Sequence, residues 1–492
     1  MDSYATNNGG VGKDSSLYDF EPAKKLRELA KINGLEMASK DFASLMDEQD
    51  ELHELRKEFC YPLNKESPHV DLSLVDGNAE CVYFCGNSLG LMPKECRKLV
   101  KEHLDKWAAM GVYGHHLGDR PWKSIEEYAT EETAELVGAK PIEVVVMNAL
   151  TVNVNLMMVP FYRPTSTRHK ILMEGKAFPS DQYAIKSQVN FHGYKPQESI
   201  IEVFPRKGEE TLKTEDILKV IEEQGDSIAL VMFSGVQYYT GQFFDMKTIT
   251  SAAQKKGCVV GWDLAHAVGN VELHLHDWNV DFACWCNYKY LNSGPGAISG
   301  VFVHERHAYN FDLPRFSGWW GTNKETRFQM NPEIEPIPGA EGFQISNPAA
   351  MQTELLIGSL NVFKKTSIKR LRAKGDLLTA YLEILLLHRY PAPELNEDTD
   401  DTPDKKQQLS RPYVKIITPA DPKDRGCQLS VKFSCPVQKV HKELEKRGVV
   451  VDTRNPDVMR IAPVHMYNSF TDVQRFIDLL EQAFNAVKSL DS

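Results

Sequence analysis

Short apolar runs alternate with longer helix-like patterns through the middle of the chain, from about residue 80 to residue 340. The runs have the length of β-strands, and the stretches between them carry apolar residues at helical spacing. Such alternation is typical of an α/β fold with a largely parallel sheet and helices on both faces. The predicted strands are 143–147, 170–173, 200–204, 227–233, 258–262, 280–286 and 298–304.

A smaller α/β unit is predicted near the C-terminus. Residues 429–433 alternate like a half-buried strand, a helical pattern covers 437–446, and a last amphipathic helix begins near Asp472. Near the N-terminus, one helical pattern runs from Asp41 to Glu58. The predicted segments are a disordered tail (1–20), an N-terminal helical segment packing with the small domain (21–80), a large domain (81–345) and a small C-terminal domain (346–492) with a polar surface loop (394–412).

Composition narrows the class of protein. The 492 residues are 42% hydrophobic and 25% charged, and the formal net charge is −11. A nucleic-acid-binding protein needs clustered Lys and Arg, so this balance argues against one, while a small anionic substrate needs only a single arginine. The most apolar long stretch, 144–162, is interrupted by Asn148, Asn153 and Asn155, which a membrane span would not tolerate.

The cysteines and the N-terminal residues favour a cytoplasmic protein. The nine cysteines are an odd number scattered along the chain, and several lie within apolar runs. Buried free thiols in a reducing compartment explain this better than disulfides do. The first sixteen residues contain no apolar run typical of a secretory signal.

One stretch between residues 257 and 296 places an acid and a lysine after neighbouring apolar runs. Asp263 follows the run 258–262, at the strand end where α/β sheets bind ligands. Lys289 follows the run 280–286 and lies 26 positions after Asp263. A carboxylate that keeps a pyridine nitrogen protonated, and a lysine that forms a Schiff base with an aldehyde, suit pyridoxal phosphate (PLP). Either residue alone is more often half of a salt bridge, so the pair carries the prediction.

A phosphate site is predicted where the strand 143–147 ends. Residues 148–151 form a turn into a helix, whose first N–H groups and the Thr151 hydroxyl would bind phosphate. Threonine is also a common N-cap, so this pattern alone leaves both interpretations open. His274 and His276 could indicate a metal site, but they lack the HExxH and CxxC spacings of zinc proteins, so no metal is predicted.

Ten motifs in one order make the chain resemble the eukaryotic kynureninases, from about residue 45 to the C-terminus. They are Gly86-Asn-Ser-Leu-Gly90, Tyr113-Gly-His115, Arg120-Pro-Trp122, Met147-Asn-Ala-Leu-Thr-Val-Asn153, Ala177-Phe-Pro-Ser-Asp181, Phe233-Ser-Gly-Val236, Asp263-Leu-Ala-His266, Tyr288-Lys-Tyr-Leu-Asn292, Ile345-Ser-Asn-Pro348 and Arg460-Ile-Ala-Pro463. The resemblance implies a PLP-dependent transferase fold of type I and a homodimer. One departure is local: Trp320 follows Trp319 where an animal relative has Phe, which leaves open which indole points inward.

The resemblance also implies a role for each matching residue. Lys289 would carry the cofactor, Asp263 would pair with the pyridinium and Phe178 would stack on the ring. The residues implied around the phosphate and the ring are Leu150, Thr151, Ser234, Tyr288, His266, Asp181, Pro179 and Ser180. The residues implied to reach the substrate are Arg460, at the α-carboxylate; Ser88 and His115, in the aromatic pocket; and Trp319 and Asn347, which reach cofactor and substrate from near the subunit interface.

The implied reaction is hydrolysis of L-kynurenine or 3-hydroxy-L-kynurenine to an anthranilate and L-alanine, in tryptophan catabolism leading to NAD. Lys289 would remove the α-proton, and Tyr288 is the candidate for proton delivery. The alternatives are another PLP enzyme of this fold, an aminotransferase or a cysteine desulfurase, and a non-catalytic homologue. A desulfurase needs a reactive cysteine on a mobile loop, and no cysteine here lies in an evidently exposed, glycine-rich segment. A non-catalytic homologue is expected to lack Lys289 or Asp263.

Overall fold

The computed structural model describes residues 20–393 and 411–491. The strands are β1 (Phe59–Cys60), β2 (Val82–Tyr83), β3 (Met92–Pro93), β4 (Val144–Met147), β5 (Lys170–Glu174), β6 (Ile200–Val203), β7 (Ile228–Ser234), β8 (Val259–Asp263), β9 (Phe282–Cys286), β10 (Ser299–Val303), β11 (Val414–Ile416), β12 (Leu429–Phe433), β13 (Val449–Val450), β14 (Asp452–Arg454) and β15 (Val458–Ile461). The predicted tail, up to residue 19, and residues 394–410 of the predicted surface loop lie outside the described ranges.

Thirteen helices accompany these strands in the described ranges. They are α1 (Glu21–Asn33), α2 (Lys40–Glu48), α3 (Lys94–Met110), α4 (Glu127–Val137), α5 (Leu150–Phe161), α6 (Pro179–Phe191), α7 (Pro196–Ser199), α8 (Thr214–Gln224), α9 (Met246–Lys255), α10 (Ala350–Phe363), α11 (Ile368–Arg389), α12 (Val437–Glu445) and α13 (Phe470–Asp491). No helix in the described ranges is long and apolar enough to cross a membrane.

The central sheet has seven strands in the order β4-β10-β9-β8-β7-β5-β6. The pairs from β9 to β6 are parallel, and only β10 runs against its two neighbours. Both faces are buried: in β10, Val301 and Val303 belong to one apolar core while Phe302 belongs to the other. The predicted α/β fold with a mostly parallel sheet is confirmed, and each predicted strand lies within two residues of an observed one.

Parallel register brings the ends of several strands to one edge of the sheet. Ser234, which ends β7, pairs with Asp263, which ends β8, and Asp263 pairs with Cys284 in β9. The carboxyl ends of parallel strands are where α/β proteins bind ligands. The sheet therefore gathers side chains that are far apart in sequence along this edge.

A second apolar core, the small core, lies around the four-stranded antiparallel sheet β11-β12-β15-β14. Helices α1 and α2 contribute Leu26 and Phe42 to it, beside Leu378 of α11 and Phe476 of α13. Helix α10 instead packs in the core of the large sheet through Leu356 and its neighbours. The chain therefore changes core within α11, one helix after the boundary predicted at residue 346.

The single helix predicted from Asp41 to Glu58 is wrong, because the chain turns after α2. Asp50 accepts the N–H of Leu52 at 2.9 Å and forms a buried ion pair of 2.6 Å with Lys374. Before the turn, Phe42 packs in the small core, and after it Leu52 packs in the core of the large sheet. The turn therefore lies where the chain passes from one core to the other.

Candidate active site

A cavity of about 220 Å³ opens at the carboxyl edge of the large sheet. Most of the predicted site residues line it, although they come from five separate stretches of chain. Those that do are Leu150, Thr151, Phe178, Ser180, Asp181, Ser234, Asp263, His266, Tyr288 and Lys289. The cavity also includes Tyr238, Gly296, Ala297 and Ser299, which the sequence analysis did not assign to the site.

Lys289 lines this cavity from the loop after β9. Its Nζ lies 3.0 Å from Nε2 of His266. Burial lowers the pKa of His266 well below its ordinary value, and the nearby charges of Lys289 and Arg460 lower it further. His266 is therefore neutral at physiological pH, and its Nε2 accepts a hydrogen bond from the lysine while its buried Nδ1 has no protein partner.

Two buried carboxyls, those of Asp181 and Asp263, face each other in the cavity. Burial raises the pKa of Asp181 well above its ordinary value, and the charge of Asp263 raises it further. Burial also raises the pKa of Asp263, but the hydrogen bond with Asp181, the Ala265 N–H at 2.7 Å and the charge of Lys289 oppose that shift. The pair therefore tends to hold one proton, on Asp181, and to leave Asp263 as the carboxylate.

The N-terminus of α5 forms another wall. Asn148 takes a left-handed conformation (φ 47°) that turns the chain from β4 into the helix, and Ala149 at the N-cap offers no side-chain acceptor. The first N–H groups of α5 therefore lack a side-chain cap and face the cavity, beside the hydroxyls of Thr151 and Ser180, which lie 2.6 Å apart. Such a helix terminus binds an anionic group well.

These features fit PLP group by group. The helix terminus and the hydroxyls suit its phosphate, the Asp263 carboxylate suits its ring nitrogen, and Lys289 suits its aldehyde. Two buried polar atoms of the cavity wall, Nδ1 of His266 and Oγ of Ser299, also have no partner within the protein. A polar ligand in the cavity would satisfy both.

Arg460 lies behind the cavity wall and does not itself line the cavity. Only 1% of its surface is exposed, and its Nη1 donates to the carbonyl of Tyr238 at 2.9 Å. Its Nε donates to Asp452 at 2.6 Å, and its Nη2 donates to the other oxygen of that carboxylate. The sequence analysis missed both partners, although Asp452 lies only eight positions before Arg460, across one antiparallel strand pair.

Three further predicted residues, His115, Trp319 and Asn347, do not line the Lys289 cavity. They line a second, larger cavity of about 740 Å³, here called the aromatic cavity, together with His103 and Trp122 among others. His115 meets the edge of Trp122 with 5.3 Å between ring centroids. The structure therefore separates the predicted site residues into two groups.

The two neighbouring tryptophans at 319 and 320 differ in their surroundings. Trp320 is 5% exposed, and its indole N–H donates to Glu126 at 2.6 Å. Trp319 is 47% exposed, and its indole N–H donates to the carbonyl of Arg327 at 3.0 Å. Trp320 is thus the indole that points into the protein, while Trp319 stays at the surface.

The remaining predicted residues, Ser88 and Pro179, line neither cavity. Pro179 is the first residue of α6, between two residues that do line the Lys289 cavity. Ser88 lies in a turn two positions before Gly90, whose N–H donates to the carbonyl of Tyr288 at 2.9 Å. Ser88 is therefore tied to the lysine loop through the backbone.

One group of potential metal ligands occurs in the described part of the chain, outside both cavities: Glu143, His276 and His304. Its atoms already make hydrogen bonds to protein. Glu143 Oε1 accepts from His276 at 2.9 Å and from the N–H of Glu305 at 2.8 Å, and Nδ1 of His304 accepts from the N–H of Arg306 at 3.1 Å. These three residues therefore form a hydrogen-bond network at the end of β10.

Comparison with families and relatives agrees with the geometry. The aminotransferase class-V family matches residues 82–397, and the kynureninase C-terminal domain matches residues 402–480. A kynureninase of Nematostella vectensis is 64% identical over 95% of this chain and 99% of its own. The kynureninase of Homo sapiens is 50% identical (90% of this chain, 93% of its own), and that of Myxococcus xanthus is 51% identical (90% and 97%).

Solved structures with the same fold are more distant in sequence. A variant of C-DES, with glycine covalently linked to its PLP cofactor, superposes with a TM-score of 0.65 at 15% identity and covers 84% of this chain and 99% of its own. A cysteine desulfurase of Thermococcus onnurineus gives 0.64 at 16% identity, over 85% and 98%. These likenesses show the fold of type I PLP enzymes, and the close relatives show the family. At 64% identity over 95% of its length to the kynureninase of Nematostella vectensis, and with a cavity that fits PLP, the chain belongs to the kynureninase family.

Proposed function

We propose that the protein, with PLP as its cofactor, hydrolyses the Cβ–Cγ bond of L-kynurenine or 3-hydroxy-L-kynurenine. The products are anthranilate or 3-hydroxyanthranilate and L-alanine, and the protein acts in the cytoplasm as a homodimer. The observation that carries the proposal is the meeting of Lys289 and Asp263 in one cavity, in a chain of the kynureninase family.

When bound, PLP supplies an electron-withdrawing ring that stabilises negative charge on the substrate's α-carbon. Asp263 would hold the ring nitrogen in its protonated form. Asp181 carries the proton that the two carboxyls share, so Asp263 remains the anion that this task requires. Phe178, 46% exposed and placed edge-on to Tyr238, would cover the ring.

Lys289 holds the cofactor and takes the α-proton of the substrate. Neutral His266, 3.0 Å away, accepts one N–H bond of the amine and so fixes the direction of the nitrogen lone pair. A proton-transfer group must be positioned before its basicity matters. His266 is therefore a positioning residue for Lys289.

Tyr288 delivers a proton to the carbon that is left with negative charge when the Cβ–Cγ bond breaks. Burial raises the pKa of its phenol, and the neighbouring Cys286 raises it further. The phenol is therefore protonated at neutral pH and acts as a donor. Leu150, Thr151 and Ser234 would hold the phosphate.

Arg460 would bind the substrate's α-carboxylate once the cavity wall in front of it opens, because only 1% of its surface is exposed in the free chain. Its three hydrogen bonds to Asp452 and Tyr238 use three of the five guanidinium N–H groups and fix the orientation of the fork. The two that remain suit a planar carboxylate, which accepts two parallel hydrogen bonds.

The aryl group of the substrate is held by residues of the aromatic cavity, chiefly His115, with Ser88. Because this cavity is separate from the Lys289 cavity within one chain, we propose that a second copy supplies His115, Trp319 and Asn347. Exposed apolar side chains around the aromatic cavity support this arrangement, since one chain leaves them in water. They include Trp107 (60% exposed), Val112 (71%), Phe328 (49%) and Met351 (40%).

The test is direct. The purified protein is incubated with PLP and each kynurenine, and the anthranilate product and L-alanine are measured. An aminotransferase would need a 2-oxo acid as acceptor, and a desulfurase would release sulfur from cysteine. All nine cysteines lie in the described ranges, seven of them buried and two half-buried, and burial raises the pKa of Cys286, the cysteine beside Tyr288. Equal amounts of anthranilate and alanine would support the proposal, and transamination or sulfur release in their place would reject it.

A further inference from the structure

A buried glutamate, Glu174, lies directly behind the proposed phosphate site. It ends β5, next to the end of β7, and 2% of its surface is exposed. Its Oε1 accepts the Ser234 hydroxyl at 2.5 Å, and its Oε2 accepts the Ser234 N–H at 3.2 Å. Neither the motifs nor the spacing of the sequence singled out this residue.

These hydrogen bonds leave the Ser234 hydroxyl without a hydrogen to donate to a phosphate. A serine hydroxyl has one hydrogen to donate, and here it is directed at Glu174. A phosphate oxygen is an acceptor, so it offers nothing to the remaining lone pairs of Ser234. An ionised Glu174 and an anionic phosphate would therefore compete for one hydrogen, in a place where burial strengthens their repulsion.

The surroundings of Glu174 do not neutralise it. Among the described residues it has no ion-pair partner, and the groups that act on it from α6, β8 and the loop after β7 are Asp181, Asp263 and the phenol of Tyr238. Charged and titratable side chains on its outer side line a neighbouring cavity: Lys176, Glu209, Glu210, Tyr239 and Lys432. Of these, Lys432 pairs with Glu210 at 2.8 Å, so its charge is already matched.

We propose that Glu174 takes up a proton from solvent when PLP binds, and that its neutral carboxyl then donates to Ser234. The Ser234 hydroxyl turns and donates to the phosphate, so that each group gains one hydrogen bond. This inference rests on the proposed role of Ser234 at the phosphate. Burial supports it by raising the pKa of Glu174 to about 7, although the hydrogen bonds from Ser234 oppose that shift.

Because binding of PLP takes up a proton, the affinity for PLP depends on pH. Below about pH 7 the free protein already holds the proton on Glu174, so binding is unaffected by this group. Above that pH the proton must be taken from solvent, and affinity for PLP falls by up to about tenfold per pH unit from this group alone. Glu174→Gln is neutral at every pH and donates through its amide, so it should bind PLP within about threefold of the wild type at pH 6.5 and lose this part of the pH dependence.

Calorimetry at pH 8 measures the difference. Apoprotein is titrated with PLP in two buffers of different ionisation enthalpy, which gives the number of protons taken up on binding. The wild type should take up about one proton more than Glu174→Gln, because most wild-type molecules must gain it at that pH. The control is Glu202→Gln, an exposed carboxyl on the adjacent strand β6, which should match the wild type.

Equal proton uptake by wild type and Glu174→Gln would overturn the inference, as would a large loss of PLP affinity in that variant at every pH. If Glu174→Gln does not fold, infrared difference spectra of the wild type with ¹³C-labelled glutamate decide the matter. A new protonated-glutamate band on adding PLP supports the proposal, and its absence rejects it. None of these readouts uses kynurenine, so a protein that gains the proton but cleaves no kynurenine would contradict the proposed function alone.

Discussion

The two cavities of this protein are built on opposite principles. The Lys289 cavity lies at the edge of a sheet buried on both faces, and its polar groups hold one another: His266 on Lys289, Asp181 on Asp263, Glu174 on Ser234. The aromatic cavity is more than three times as large and is lined by half-exposed rings such as Trp107 and Trp319. Both cavities hold buried polar atoms without a hydrogen-bond partner in the protein: Nδ1 of His266 and Oγ of Ser299 in the first, and Nε1 of Trp122 in the second.

The difference between the two cavities indicates which part of the site a single chain can complete. Groups that perform proton transfer need fixed directions and fixed charge, which a rigid sheet edge within one chain provides. Exposed aromatic rings are characteristic of a surface that meets another molecule. We therefore expect the first cavity to be the reaction centre, and we propose that a second copy and the substrate complete the second.

The largest effect is expected from Lys289→Ala. Removing this amine should abolish covalent attachment of PLP and lower turnover by more than about a thousandfold, because no other amine of residues 20–393 and 411–491 lines the cavity. Visible absorption with PLP and borohydride trapping of a lysine adduct measure attachment. Lys219→Ala, at an exposed position of α8, is the control. A lysine adduct that persists in Lys289→Ala would remove Lys289 from its proposed role.

Mixing two inactive variants tests whether the cavities combine across a dimer. Lys289→Ala and Asn347→Ala should each be nearly inactive, but half of the dimers formed after mixing and subunit exchange would carry one intact site. About a quarter of wild-type activity should then return, if exchange is random and sites are independent. Light scattering establishes the dimer. Activity that stays at the level of the separate variants, despite proven exchange, would argue that each site is built from one chain.

Arg460→Lys should have an intermediate effect. Lysine keeps the charge but loses the fork, so PLP should bind as before while kcat/KM for kynurenine falls about tenfold to a hundredfold, equivalent to roughly 1.5–3 kcal/mol. Because Asp452 also loses a partner, thermal unfolding is measured alongside. The exposed Arg206→Lys serves as control. Unchanged kinetics would exclude Arg460 from the substrate site, and lost PLP would assign it to the cofactor.

The smallest effects are expected from substitutions of the two adjacent tryptophans, Trp319 and Trp320. Trp320→Phe leaves the buried Glu126 without its indole donor, so the free energy of unfolding should fall by about 1–3 kcal/mol. Trp319→Phe removes a hydrogen bond at a half-exposed site and should change monomer stability by less than about 1 kcal/mol, while weakening dimerisation. Chemical unfolding and the concentration dependence of light scattering measure the two effects. A reversed order of stabilities would contradict their assigned surroundings.

Local patterns in the sequence predicted the sheet well, because each strand is a short apolar run whose length and flanks are encoded nearby. The same patterns failed at residues 41–58, where helical spacing continues through a turn. That turn depends on Lys374, more than three hundred positions away, which pairs with Asp50. Spacing alone could not reveal such a partner.

The sequence by itself determined the chemistry of this protein: a lysine and an acid after neighbouring strands, a helix terminus for phosphate, and motifs that identify the family. Only the tertiary structure decided which groups meet and in what state of charge. Burial and neighbouring charge set the pKa values of His266, Asp181 and Glu174, and neither is a property of a residue and its neighbours in sequence. The separation of His115 and Asn347 from Lys289 likewise follows from packing, because the chain places them on a surface that a single copy leaves open.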